Sequence, residues 1–90
     1  MNILEIKSEL GLSQLQFNQG KDKDSGANTD WFSHWDNDNR VRIGCHKDTI
    51  AGIQSGENLN LGLTPPVTKT GAKGTYTYRT LVAYSADVVL

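Results

Sequence analysis

Two runs with strand-like patterning flank a turn near the middle of the chain, and they constrain the fold more than any other feature. DWFSHW (residues 30–35) is rich in aromatic residues, and in RVRIGCH (residues 40–46) apolar side chains alternate with arginine and glycine. The residues between them, DNDN at 36–39, are of the types that form tight turns. We therefore expect an antiparallel β-hairpin at residues 30–46.

The predicted register of this hairpin separates its side chains into two faces. A turn centred between Asn37 and Asp38 gives the same pairing whether the loop holds two residues or four. The predicted pairs on one face are Trp35 with Arg40, Ser33 with Arg42, and Trp31 with Gly44. Those on the other face are Phe32 with Ile43 and His34 with Val41, and Cys45 extends this apolar set. We expect the second face to pack against the core.

The first face combines two tryptophans with two arginines, which a plain solvent-exposed face does not normally carry. Indole rings stack on nucleobases regardless of sequence, and guanidinium groups bind phosphates. Trp31, Trp35, Arg40 and Arg42 are therefore candidate residues for binding nucleic acid. A structural alternative stays open, because the N-terminal segment can cover the tryptophans and an arginine can stack on an indole at any surface.

Further candidates lie in the C-terminal half, where cations are not balanced by acids. Between residues 58 and 86 the chain has three Lys or Arg residues and no Asp or Glu. Lys69 and Lys73 are expected in a loop from which they can reach a phosphate backbone. Tyr76 and Tyr78 share one face of the last predicted strand and extend the aromatic set, with core packing as the alternative.

The remaining segments predict a mainly β chain with short helices. Residues 3–10 have helical spacing with Gly11 as a stop, although they also alternate as in a short strand. KDTIAGIQSG (47–56) predicts a helix with Asp48 or Thr49 as N-cap, Ile50 and Ile53 facing inward, and Gly56 as the stop. The predicted strands outside the hairpin are SQLQFNQ (13–19), LNLGL (59–63) and TYTYRTLVAYS (75–85). Residues 20–29 and 64–74 are predicted to be flexible loops because Gly, Asp, Asn and Pro are frequent there.

Length and composition limit the class of protein. Ninety residues make one small domain, residues 1–90, and a net charge of -1 argues against a broad basic surface for duplex DNA or membrane. Cys45 has no partner for a disulfide, which favours a cytoplasmic protein. No apolar stretch is long enough for a signal sequence or a membrane span, so no membrane partner is expected.

The residue pattern indicates neither a metal site nor a catalytic site. A calcium loop starting at Asp22 would have Ala27 where glycine is needed. His34, Cys45 and His46 lack the paired spacing of structural zinc sites, and the two histidines are expected on opposite faces of the hairpin. The chain has no nucleophile or phosphate-loop motif. We expect no metal, no cofactor and no enzyme activity.

The predicted order of strands, with a helix between the third and fourth, resembles that of the OB-fold proteins that bind single-stranded nucleic acid. The resemblance covers residues 13–85 by pattern only and implies a small five-stranded antiparallel barrel. It also implies a ligand lying across the second and third strands, which here contain the Trp and Arg residues. Single-stranded DNA or RNA is the expected partner, with a protein partner as the alternative because Trp and Arg also dominate protein interfaces. The formation of homo-oligomers by pairing of an exposed edge strand is a further open alternative.

Overall fold

The computed structural model describes residues 2–55 and 60–84 and contains two helices and six strands. In chain order they are α1 (Ile3–Leu10), β1 (Asn18–Lys21), β2 (Asn28–Asp36), β3 (Val41–His46), α2 (Lys47–Gln54), β4 (Asn60–Leu63), β5 (Val67–Gly71) and β6 (Gly74–Tyr84). The predicted mainly β class and the helix between the third and fourth strands are confirmed. Neither helix in this part of the chain is long and apolar enough to cross a membrane.

The strands form one mixed sheet rather than the predicted antiparallel barrel. Their order is β1-β2-β3-β6-β4, with β5 also paired to β6. β3 and β6 are parallel, and every other described pair is antiparallel. Parallel neighbours need a long connection, and α2, β4 and β5 lie on the chain between β3 and β6. The described strand order does not join β1 to β4, so the sheet is not closed.

The core lies on one face of this sheet, beneath the two helices. Its buried residues are Ile6, Ile43, Cys45, Ile50, Leu61 and Leu81. Ile43 and Cys45 are fully buried, which confirms the predicted core face of the hairpin. Phe32 and Val41 are half-buried against the same cluster. The opposite face of the sheet is therefore available for another role.

Local signals account for both helices. Asn2 and Glu5 form a capping box at the start of α1, and Gly11 ends it in the left-handed region with φ 70°. The helical alternative for residues 3–10 is therefore confirmed over the strand. The N-cap prediction for α2 is wrong, because His46 and not Asp48 or Thr49 caps it.

The inward position of two α2 side chains is confirmed. Ile50 belongs to the buried cluster, and Ile53 packs against it. The predicted stop at Gly56 and the start of the next strand at Leu59 lie outside the described residues.

The first strand begins later than the alternating pattern predicts. Residues 14–17 lie outside the strands, and the backbone N–H of Gln16 donates to Nδ1 of His34 at 3.2 Å instead of joining a ladder. Leu15 and Phe17 nevertheless pack against the core. The alternation of apolar residues therefore indicates here which side chains are buried, but it does not indicate a strand.

Strand residues occupy part of both predicted loops. The connection between β1 and β2 comprises only residues 22–27, since Asp22 accepts the N–H groups of Asp24 and Ser25 and Gly26 adopts φ 73°. Residues 64–74 contain β5, which forms a hairpin with β6 around Ala72 and Lys73. The loop prediction is wrong for these strand residues, because cross-strand pairing overrides the Gly and Pro composition.

Candidate nucleic-acid interface

The central hairpin has the predicted faces but a register that differs by two residues. The observed pairs on the Trp face are Trp31 with His46, Ser33 with Gly44, and Trp35 with Arg42. All five predicted pairs are therefore wrong: Trp35 with Arg40, Ser33 with Arg42, Trp31 with Gly44, Phe32 with Ile43, and His34 with Val41. A slip of two residues keeps every side chain on its side, because side chains alternate with a period of two.

The turn explains the slip. Oδ1 of Asp36 accepts the N–H of Asp38 at 3.1 Å, and Oδ2 accepts the side-chain amide of Asn39 at 2.7 Å. Arg40 then adopts φ 51° in the left-handed region and belongs to the turn, not to β3. Asp36 thus moves the centre of the turn one residue toward the C-terminus.

Neighbouring strands add residues to the Trp face, which we call the outer face. The parallel pairing places Tyr78 beside Arg42, and the β5–β6 hairpin places Lys69 beside Tyr76. The outer face carries Trp31, Ser33, Trp35, Arg42, Gly44, His46, Lys69, Tyr76 and Tyr78. All six predicted site residues that lie within strands therefore share one side of the sheet, while Arg40 and Lys73 flank it from turns.

Trp35 is the centre of a tight cluster at one end of this face. The guanidinium carbons of Arg40 and Arg42 lie 5.3 and 5.4 Å from the centroid of its indole. The Tyr76 ring meets the indole edge to face, with centroids 5.8 Å apart. Trp35 is consequently half-buried by the residues that were predicted to act beside it.

Both arginines of the cluster are held by neutral partners. Nε of Arg40 donates to the carbonyl oxygen of Thr75 at 2.9 Å, and Nη1 of Arg42 donates to Oγ of Ser33 at 3.1 Å. A guanidinium group has five N–H donors, so these bonds orient each group without neutralising it. The arrangement is suited to holding an anion.

A groove of about 330 Å³ lies between the β2–β3 and β5–β6 turns, and we call it the turn groove. Its lining includes Trp35, Arg40, Arg42, Lys73 and Tyr76. Five of the eight predicted site residues thus meet in one concavity, although they come from two separate hairpins. The volume lies at the lower end of the range for small-ligand pockets.

Tyr78 lies at the middle of the outer face. A Cβ added at Gly44 would lie 2.9 Å from Cζ of Tyr78, so only glycine leaves room for the ring across β3. Nζ of Lys69 lies 4.4 Å from the centroid of the same ring. Tyr76 and Tyr78 therefore lie on the outer face and do not pack in the core.

Trp31 occupies the other end of the face, with 47% of its surface exposed. Its nearest aromatic neighbour is His46, with ring centroids 5.3 Å apart and planes at 88°. Sequence reasoning did not include His46 in the interface, because the predicted register paired Trp31 with Gly44. The N-terminal segment therefore does not cover this tryptophan.

Charge is distributed unevenly over the sheet. The acidic residues of the described strands are Asp30 and Asp36, and both alternate toward the core side. Nζ of Lys47 lies 3.5 Å from Oδ1 of Asp30 and forms an ion pair with it. Within residues 2–55 and 60–84, no predicted site cation forms an ion pair. The Trp35 end thus keeps its positive charge.

The three residues considered as zinc ligands, His34, Cys45 and His46, do not form a cluster. Burial raises the pKa of the Cys45 thiol to about 11, which favours the unreactive neutral form at neutral pH. His34 and His46 lie on opposite faces of the hairpin, as expected. No cluster of three or more potential metal ligands occurs in the described ranges.

Comparison of the chain with protein families, curated proteins and solved structures finds no match.

Proposed function

We propose that the protein binds single-stranded nucleic acid, without catalysis, on the outer face of its sheet. The observation that carries the proposal is the convergence of aromatic rings and unpaired cations on a side of the sheet where no described strand presents an acid. Aromatic rings accept bases of any sequence, and cations follow the phosphate backbone. A net charge of -1 is compatible with this function because the charges are separated by face.

The two ends of the face have different tasks in this proposal. Exposed Trp31 stacks on a base, whereas Trp35 supports Arg40 and Arg42, which contact phosphates in the turn groove. Lys73 extends the same positive region from the β5–β6 turn. Trp35, predicted from sequence to stack on a base, acts here through the arginines that already cover it.

The order of elements gives further support. A helix follows the third strand, and the last strand lies between β3 and β4. This arrangement resembles an OB-fold that is open between its first and fourth strands, since that fold is itself a partly open Greek-key barrel. The outer face then includes the second and third strands, where OB-folds bind oligonucleotides.

A protein partner is the second candidate, and exposed apolar surface favours it. Val67 is 53% exposed and lies beside Tyr78 on the outer face, while Trp31 is exposed at its end. Tryptophan, tyrosine and arginine are the residues enriched in interface hot spots, and Val67 adds apolar area beside them. A protein ligand would be captured in a pull-down and lost on Trp31→Ala without loss of folding.

Titration with short oligothymidylate and oligouridylate, followed by tryptophan fluorescence, tests the leading proposal. We expect affinity to fall between about 50 and about 200 mM salt because phosphate contacts release counterions. Arg42→Gln should reduce the slope of log K against log salt by roughly 0.7, the value for one phosphate contact on a single strand. Lys23→Gln is the matched control, because it removes a cation from the exposed β1–β2 turn.

Two outcomes would contradict the proposal. One is the absence of salt-sensitive binding to both oligomers. The other is an equal change in slope for Arg42→Gln and Lys23→Gln, since any surface cation would then serve as well as one on the outer face.

A further inference from the structure

The Trp31 end of the outer face has a hydrogen-bonding neighbour that the proposed function does not use. We propose that Trp31 and His46 form a base-reading subsite, in which the indole stacks on a base and Nε2–H of His46 donates to an acceptor on the edge of that base. This inference rests on the proposed binding of single-stranded nucleic acid. It adds His46 to one end of the site and assigns it the role of hydrogen-bond donor.

A backbone contact selects the tautomer of His46. Nδ1 accepts the N–H of Asp48 at 3.2 Å, where the histidine caps α2. A ring nitrogen that accepts carries no proton, so the neutral ring has its proton on Nε2. His46 therefore offers a donor to a ligand at Nε2.

The same contact restricts where the ring can lie. His46 is at the end of β3 and directly opposite Trp31 on β2, with the two rings nearly perpendicular at 5.3 Å. Its side chain remains 37% exposed. A base stacked on the exposed indole extends past it toward the imidazole, which brings the hydrogen-bonding edge of the base beside Nε2.

Nearby charge favours a base over a phosphate at this position. Oδ2 of Asp48 lies 3.5 Å from Nδ1 of His46, whereas Asp30 alternates toward the core side and pairs with Lys47. The Asp48 carboxylate at this end repels a phosphate, whereas the arginine cluster at the other end attracts one. The uncharged, hydrogen-bond-accepting edge of a base is the group that fits beside His46.

A pair of substitutions separates the donor from the helix cap. His46→Asn keeps an acceptor at the position of Nδ1, and Asn is a favourable N-cap, but the variant has no donor at the position of Nε2. His46→Gln places an amide N–H near the position of Nε2 and gives up the cap. Circular dichroism and urea unfolding establish that each variant is folded before binding is measured.

The probes are short oligothymidylate and the same oligomer with difluorotoluene in place of thymine, which stacks but accepts hydrogen bonds only weakly. We expect the wild-type protein to prefer thymine by about fivefold, the usual effect of one neutral hydrogen bond. His46→Asn should bind the two oligomers equally, with an unchanged salt slope because no ionic contact is lost. His46→Gln should retain part of the preference.

The outcomes distinguish this inference from the proposed function. If the wild-type protein binds neither oligomer, both fail. If it binds both in a salt-sensitive way and His46→Asn keeps the full preference for thymine, the base-reading subsite is wrong and the proposed function stands. A lower salt slope for His46→Asn would also contradict the subsite, because it would place a phosphate at His46.

Discussion

Trp31 and Trp35 lie on the same strand and the same face, yet their surroundings differ. Trp35 is half-buried among two arginines and a tyrosine, and 47% of Trp31 is exposed beside one histidine. Both environments follow from the pairing of β2 with β3, which places Arg42 opposite Trp35 and His46 opposite Trp31. Sharing a face therefore does not give two tryptophans the same role.

The contrast indicates a division of tasks along the outer face. At the Trp35 end, aromatic contacts fix the cations, so the tryptophan contributes to both stability and electrostatics. At the Trp31 end, few contacts restrain the indole, so it contributes surface for a ligand. Substituting each tryptophan separately is the most direct test of this division.

Trp35→Ala has the largest expected effect. It removes a half-buried indole and the support of Arg40, Arg42 and Tyr76, and we expect a loss of about 2 kcal/mol in the free energy of unfolding, below the range for fully buried Trp. Urea unfolding followed by circular dichroism measures it. The salt-dependent part of nucleic-acid binding should weaken as well.

Trp31→Ala is the matched control for that experiment. We expect a change in stability below about 1 kcal/mol, because almost half of the residue is exposed, together with a clear loss of affinity. Equal destabilisation by the two substitutions would show that both indoles are structural. The division of the face into two ends would then be wrong.

Gly44→Ala tests the boundary between the two ends. A methyl group there would collide with the ring of Tyr78, so the ring must move, and we expect a loss of about 1 kcal/mol in stability. Gly71→Ala is a milder control, because its Cβ would lie 3.3 Å from Cε1 of Tyr76. Urea unfolding of both variants gives the difference, and a larger loss for Gly71→Ala would contradict the packing described for Tyr78.

Alternation in the hairpin sequence was sufficient to predict its two faces. Ile43 and Cys45 are buried as expected and Trp31 lies on the opposite face, because the period of two survives any even change of register. The individual pairs were not predictable from composition. They depend on the side-chain bonds of Asp36, which draw Arg40 into the turn and bring His46 opposite Trp31.

Long-range pairing is the other part that the sequence left undetermined. β5 has five exposed residues and no apolar alternation, so the β-branched residues of VTKTG are the only strand signal in a segment that also contains prolines and glycines. It is a strand because β6 offers it a partner across the Ala72–Lys73 turn. The parallel pairing of β3 with β6 depends in the same way on residues far apart in the chain, and it places Tyr78 beside Arg42.

The smallest expected effect concerns the turn that supports the Trp35 end. Hydrogen bonds from the side chain of Asn39 and from backbone N–H groups lower the pKa of Asp36 below its ordinary value of 3.8. A carboxylate with a lowered pKa in the folded state stabilises the protein above its unfolded pKa, and this contribution is lost as pH falls through the folded pKa. Acidification should therefore loosen the turn that positions Arg40.

The variant Asp36→Asn isolates this contribution. Near neutral pH we expect its urea midpoint to lie below that of the wild-type protein, with the difference shrinking as pH falls below 3.8. Asp38→Asn removes a neighbouring carboxylate of the same turn and serves as the control, with no comparable convergence. Because Asp22 also has a lowered pKa, its titration is common to all three proteins and cancels in the differences. A constant gap between Asp36→Asn and the wild type at every pH would mean that the charge of Asp36 does not hold the turn, and the Trp35 end would then depend on indole packing alone.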